Sequence, residues 1–126
     1  MKSSKRALKM KRLRIIAFDL WKQLVFKEYG EYCLQCGSPA ITAHHFIPQG
    51  SCEASRYLIE NGIPVCRGCH FQHHTGQPKL HAMAIEIRKK VWYNKLQKVK
   101  DQPPHISISE FYLKNKIEEL KQLCAE

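Results

Sequence analysis

The sequence predicts an α+β fold, a small zinc-stapled strand–strand–helix core flanked by N-terminal and C-terminal helices. Three observations predict it. Four of the six cysteines fall as two Cys-x2-Cys pairs, Cys33 with Cys36 and Cys66 with Cys69. Two short runs of β-branched and apolar residues, 41–46 and 63–66, lie beside those pairs. Apolar residues also recur at helical spacing over long stretches on either side. At 126 residues the chain is one domain, divided into a basic arm with an amphipathic helix (1–30), the zinc-bound core (31–78) and a basic helical extension packing on the same domain (79–126).

Residues 1–12 carry six Lys or Arg and little to bury, which predicts a mobile basic arm. Over 13–27, Ile16, Leu20 and Leu24, then Trp21 and Val25, mark an amphipathic helix ending before Gly30, with Phe18 and Trp21 as core. Residues 30–37 form a first zinc knuckle. The strand at 41–46 is stopped by Pro48 and Gly50. A loop of about fifteen residues follows, with one helical turn near 54–58, and a loop of that length is usually functional. A second strand at 63–66 leads into a helix over 67–75, closed by Gly76 and Pro78. A long helix covers about 80–99 with Ala82, Ile85, Ile87, Val91, Trp92 and Leu96 as its apolar residues; residues 101–105 are a linker. Ser109 and Glu110 open a last helix through Leu123, whose stripe of Phe111, Leu113, Ile117, Leu120 and Leu123 is the one candidate dimer surface.

Lys and Arg number 21 against 11 Asp and Glu, a formal charge of +10, which favours nucleic acid or another polyanion as partner. No run of 18 apolar residues is present, and the apolar stretch RIIAFDLWKQLVF is interrupted by Asp19 and Lys22. The expectation is a soluble cytoplasmic protein with no membrane partner. In a reducing compartment paired Cys-x2-Cys motifs mean metal before disulfide. Gly37 after the first pair and Gly68 inside the second supply turn chemistry, and four thiolates complete tetrahedral Zn2+ with no open position, so the expected site is structural. Cys52 and Cys124 remain as free thiols without an assigned role.

The remaining chemistry is in histidines. His44 and His45 stand side by side in the first strand, and His70, His73 and His74 follow the second cysteine pair. Positions 70 and 74 share a helical face, a spacing that lets two imidazoles reach one metal, whereas His73 is read as pointing elsewhere. The knuckle joins the start of that helix to the strand carrying His44 and His45. Asn61, ending the long loop, can hydrogen-bond a histidine or the neighbouring backbone. His81 and His105 have no partner at motif spacing and are read as surface residues.

The order HH, then N, then H-x3-H, with flanking Cys-x2-Cys pairs, resembles the HNH family of ββα-metal endonucleases. The stretch from Gly30 to Pro78, about 40% of the chain, is similar to the phage-type members with their CxxCG, HHxxP and RYxxENGxxxCxxCH pattern. The resemblance implies a phosphodiester hydrolase in which His45 is the general base, His44, His70 and His74 hold a catalytic divalent metal, and Asn61 supports the catalytic loop. Many members carry Asp where this chain has His44. Imidazole favours Zn2+, Ni2+, Co2+ or Mn2+, whereas an oxygen ligand suits Mg2+.

Such chemistry needs a base for water and a cation for the phosphate and leaving oxygen, on opposite sides of an in-line attack. Adjacent strand residues face opposite ways, so supplying both requires a bend, for which Pro48 and Gly50 provide the turn. The N-terminus of the helix at Arg67 offers partial positive charge to a phosphate. Arg56 and Arg67 are the candidate phosphate contacts near the site. Lys9, Lys11, Arg12 and Arg14, with Arg88, Lys89 and Lys90, are expected to hold DNA backbone irrespective of sequence. The implied partner is duplex or branched DNA, and family analogy adds phage packaging or recombination proteins and a phage-infected bacterial host. Oligomeric state stays open. The competing reading is a non-catalytic zinc module that binds nucleic acid or acts as an adaptor.

Overall fold

The apolar stripe expected from residue 13 belongs to a longer helix. In the computed structural model, which describes residues 4–76 and 78–126, α1 runs Lys5–Tyr29. Residues 5–12, expected as a mobile arm, are its first turns; residues 1–3 of that arm lie outside the described residues. Two local causes extend the helix. The Ser4 side chain accepts from the Ala7 amide at 3.0 Å, and a helix already held by its core face adds turns at low cost. At the other end Gly30, at φ 91°, returns its amide to the Phe26 carbonyl, where a side chain would be strained.

The other elements are β1 (Thr42–His45), α2 (Glu53–Arg56), a 3-10 turn (Ile59–Asn61), β2 (Gly62–Val65), α3 (Arg67–His74), α4 (Lys79–Asp101) and α5 (Glu110–Ala125). The arrangement is α+β, rich in helix. The two strands pair antiparallel, with Thr42 opposite Val65, Ala43 opposite Pro64, His44 opposite Ile63 and His45 opposite Gly62. The long loop expected between the strands is held by α2 and the 3-10 turn.

Apolar side chains pack in two clusters, one on each side of this sheet. Ala17, Trp21, Leu24 and Val25 of α1 meet Leu113, Ile117 and Leu120 of α5. The stripe considered as a dimer surface is therefore spent mostly within the chain, since burying it against α1 removes the same apolar area from water; Phe111 alone stays largely exposed, at 75%. The second cluster joins Phe46, Ile47, Ile63 and Val65 to Leu80, Ala84, Trp92 and Leu96 of α4. Cys52 is buried beside this cluster.

Helix α4 breaks at Lys89, whose φ of 71° and ψ of −179° lie outside the helical region. Residues with a Cβ rarely adopt such a conformation, which costs about 1–3 kcal/mol. Just before the break, the Arg88 guanidinium lies over the Tyr29 ring at 3.6 Å and donates to the Gly62 carbonyl at 2.7 Å. Arg88, expected on DNA, is thus a structural cation whose Nη1 donors go to the Glu60 and Gly62 carbonyls, in the 3-10 turn and at the start of β2. Gly62 is the most closely packed of the glycines: a Cβ there would overlap the Val25 side chain and meet Trp21 Cζ2 at 3.0 Å. Gly62→Ala should destabilise the protein by about 1–3 kcal/mol, the usual cost of overpacking, measured as a lower midpoint in urea unfolding.

Candidate functional site

The first Cys-x2-Cys pair sits in a tight turn in which Gly37, at φ 79°, donates to the Cys33 carbonyl at 2.8 Å. Leu34 and Ile41 donate to the carbonyls of Pro64 and Val65, which lays the turn against β2. The second pair opens α3, where Cys66 is the N-cap and its Sγ accepts from the Cys69 amide at 3.4 Å. All four sulfurs lie within 4.8 Å of one another, and the thiols are not paired as disulfides. The Ser38 hydroxyl and amide draw the Cys36 thiol down to about 6, while burial and the neighbouring thiols push Cys69 up. Hydrogen bonding within the cluster favours one thiolate at its neighbours' expense, and a bound dication would favour the thiolate at all four. An all-sulfur set of four at this spacing can hold a metal such as zinc.

Across β1 the histidines converge. His44 is buried, and its Nε2 lies 2.9 Å from Nε2 of His81. His70 and His74, one turn apart on α3, bring their Nε2 atoms to 2.9 Å of each other. Donor atoms of His44, His70 and His74 lie within 4.8 Å, as do those of His44, His73 and His81. Two readings are corrected here. His73 does not point elsewhere, because residues three apart on a helix share a face as residues four apart do; its ring stacks on His81 at 4.3 Å. His81 is not a surface residue. Leu80 and Ala84 bury their face of α4 in the core, and His81, flanked by Phe46 at 4.4 Å, is carried in with them. His105 is exposed, as expected.

His45 points to the other side of β1. Its ring stacks on Trp21 at 4.1 Å and 11°, and its Nε2 lies 3.0 Å from the Arg56 carbonyl. A carbonyl only accepts, so Nε2 carries the proton and the lone pair is on Nδ1. Trp21 is itself fixed by donating Nε1–H to the Leu58 carbonyl at 2.6 Å. The opposed histidines nevertheless open on one cleft of about 410 Å³, lined also by Phe18, Pro48, Gln49, His70, His73, His74 and His81. Among the described residues β1 pairs with β2 alone, so it is an edge strand, and a cavity at that edge can reach both of its faces.

Asn61 is fully buried and spends its amide on backbone. Its Oδ1 accepts from the Ile47 amide at 2.7 Å and its Nδ2 donates to the carbonyls of Ile47 and Ser55, each at 3.1 Å. It ties the chain after β1 to the end of α2, hydrogen-bonds no histidine among the described residues and does not line the cleft, so it is a positioning residue. Arg56, expected on phosphate, is already engaged within the chain. Its side chain is 15% exposed and bonded to Glu53 at 3.0 Å and Gln49 at 3.2 Å, so its charge is already neutralised, and its contribution to the site is the carbonyl under His45. Arg67 is exposed at the cysteine end of α3, away from the cleft. There the Cys66 sulfur takes the helix N-terminus that was expected to receive phosphate. Lys9 pairs with Glu110 at 2.7 Å; Lys11, Arg12, Lys89 and Lys90 are exposed and Arg14 is half-buried.

Burial and the four surrounding imidazoles hold His44 down to about 2, and burial holds His45 down to about 4. Both are therefore neutral at pH 7, the form that ligates metal or accepts a proton. In the unfolded chain both titrate near the ordinary value of about 6.5. Between pH 6.5 and 4 the unfolded state binds more protons, so stability is full above that window and falls as the pH drops. Each of the two should cost up to about 1.4 kcal/mol per pH unit there, seen as a melting temperature that declines from pH 7 to pH 4.5 in buffer with no added divalent cation and no chelator.

No helix among the described residues is long and apolar enough to cross a membrane. No family model matches the chain, and neither a curated protein nor a solved structure matches it significantly.

Proposed function

We propose that the chain is a metal-dependent DNA endonuclease of the HNH type, its strand–strand–helix core stapled by Zn2+ on Cys33, Cys36, Cys66 and Cys69. The reading is carried by one observation: a single cleft holds a neutral histidine with a carbonyl-fixed tautomer, His45, beside a three-imidazole set, His44, His70 and His74. The donors fit a borderline divalent cation such as Zn2+, Ni2+, Co2+ or Mn2+ better than Mg2+, being nitrogen without oxygen. Bound there, it would supply charge stabilisation to a scissile phosphate and its leaving oxygen.

The chain's own residues do the rest. His45 Nδ1 takes a proton from water, and the Arg56 carbonyl and the Trp21 face keep the ring from turning as it becomes an imidazolium. That carbonyl also stabilises the charge His45 acquires, because an imidazolium donates more strongly than a neutral imidazole. Asn61 fixes the backbone on which both supports rest. Lys11, Arg12, Lys89 and Lys90 are the exposed cations available for DNA phosphates, a contact that weakens with salt.

A non-catalytic zinc module explains the cysteines equally well. It leaves unexplained a buried imidazole that belongs to no ligand set and faces a cleft. The test is plasmid nicking by the purified chain: conversion of supercoiled to open-circle DNA is expected with added Mn2+, Ni2+ or Zn2+ and not in chelator. Equal DNA cleavage in chelator would overturn the metal dependence, and no cleavage with any of these cations would leave the binding module as the better reading.

A further inference from the structure

We propose that His44, His73 and His81 form a second site for a borderline divalent cation, sharing His44 with the set His44, His70 and His74, so that a cation held by one set deprives the other of its buried ligand. The second site ties α4 to the sheet, whereas the first lies between the sheet and α3 alone. Its geometry is already assembled: His44 and His81 face each other through Nε2 at 2.9 Å, and His73 and His81 stack nearly parallel at 4.3 Å, so their edges run side by side. Donor atoms of all three lie within 4.8 Å.

A second observation points to a ligand. The His73 Nδ1 atom is buried and has no hydrogen-bond partner among the described residues. Buried polar atoms are rarely left so, and one that is calls for an ion or a water. Three neutral imidazoles without an oxygen donor select Zn2+, Ni2+ or Co2+ over Mg2+ or Ca2+. Because a neutral imidazole has one nitrogen lone pair to give, His44 can ligate in only one set at a time, and a cation on His73 and His81 withdraws it from whatever chemistry the first set supports.

The proposal rests on the geometry of His44 and not on the nuclease reading. It is tested by titrating the full chain with Co2+, whose visible bands separate thiolate from imidazole coordination. The parent is expected to take one imidazole-bound Co2+. The variant His70→Ala/His74→Ala should still take one, and adding His81→Ala should weaken it by more than about tenfold, the loss that even a supporting contact brings. His44→Ala should abolish imidazole binding altogether. Circular dichroism checks that each variant is folded, and His70→Gln/His74→Gln replaces the alanine pair if it is not. No imidazole-type Co2+ band in a folded variant lacking His70 and His74 would overturn the second site. Two imidazole-bound Co2+ ions in the parent would overturn the exclusion. A chain that binds Co2+ in this way but never nicks DNA would sink the endonuclease reading and leave this one standing.

Discussion

Replacing His45 by alanine should lower metal-dependent nicking by about 10²–10⁴-fold, the range general base catalysis contributes, while the histidine-bound cation remains. The separation of effects is the informative part. His45 belongs to neither three-histidine donor set, so its loss removes the base and spares the ligands; His44→Ala removes a ligand and should abolish both cation binding and cleavage. His45 is 7% exposed and sandwiched against Trp21, so truncation leaves a hole, and His45→Gln, closer in volume, controls for packing. The pH profile gives an independent reading. With His45 held down to about 4 by burial, a base with this proton affinity stays competent well below the usual histidine range, so its own protonation should not depress nicking between pH 7 and 5. Cleavage by His45→Ala at the parental rate would remove His45 from the chemistry.

How much of this was legible in the sequence depended on which kind of spacing carried the signal. The strands and α3 follow from short runs bounded by cysteine, glycine and proline, and the paired cysteines fix where the helix starts, because Cys66 is at once a motif residue and its N-cap. Local pattern is sufficient there. It is insufficient for α4, whose approach to β1 is a tertiary fact: nothing near His81 in sequence announces that His44 lies 2.9 Å from it. The same holds for the Arg56 carbonyl beneath His45, since a backbone acceptor has no sequence signature. His73 is obscured for a different reason: the H-x3-H spacing is complete without it, although an i,i+3 neighbour shares the helical face equally well.

The charged residues show the opposite weakness. Arg56, Arg88 and Lys9 read as free cations by composition, yet each meets a partner: Glu53, the Gly62 carbonyl and Glu110. Arg88 also covers the Tyr29 ring. A basic sequence bounds the partner class, but which cations remain for that partner is decided by packing. Exposed Lys11, Arg12, Arg67, Lys89 and Lys90 are what is left of the group expected to meet DNA, with Arg67 outside the cleft lining.

Cys66→Ser should cost the core its fold and not merely slow it. The substitution isolates coordination from capping, because serine is a preferred N-cap and its hydroxyl can accept from the Cys69 amide as the sulfur now does. What serine lacks is a thiolate. With three sulfurs the tetrahedral set is incomplete, and the free energy of binding, on the order of 10 kcal/mol for structural zinc, exceeds the typical stability of a domain this size, about 5–15 kcal/mol, at its lower end. Cys66 begins α3, and α3 carries His70, His73 and His74, so release of the knuckle also dismantles both histidine sets. The expected result is a large loss of helical circular dichroism, with chelator treatment of the parent protein producing the same spectrum. A Cys66→Ser protein that melts with the parental midpoint would mean that the two apolar clusters hold the chain together without a metal.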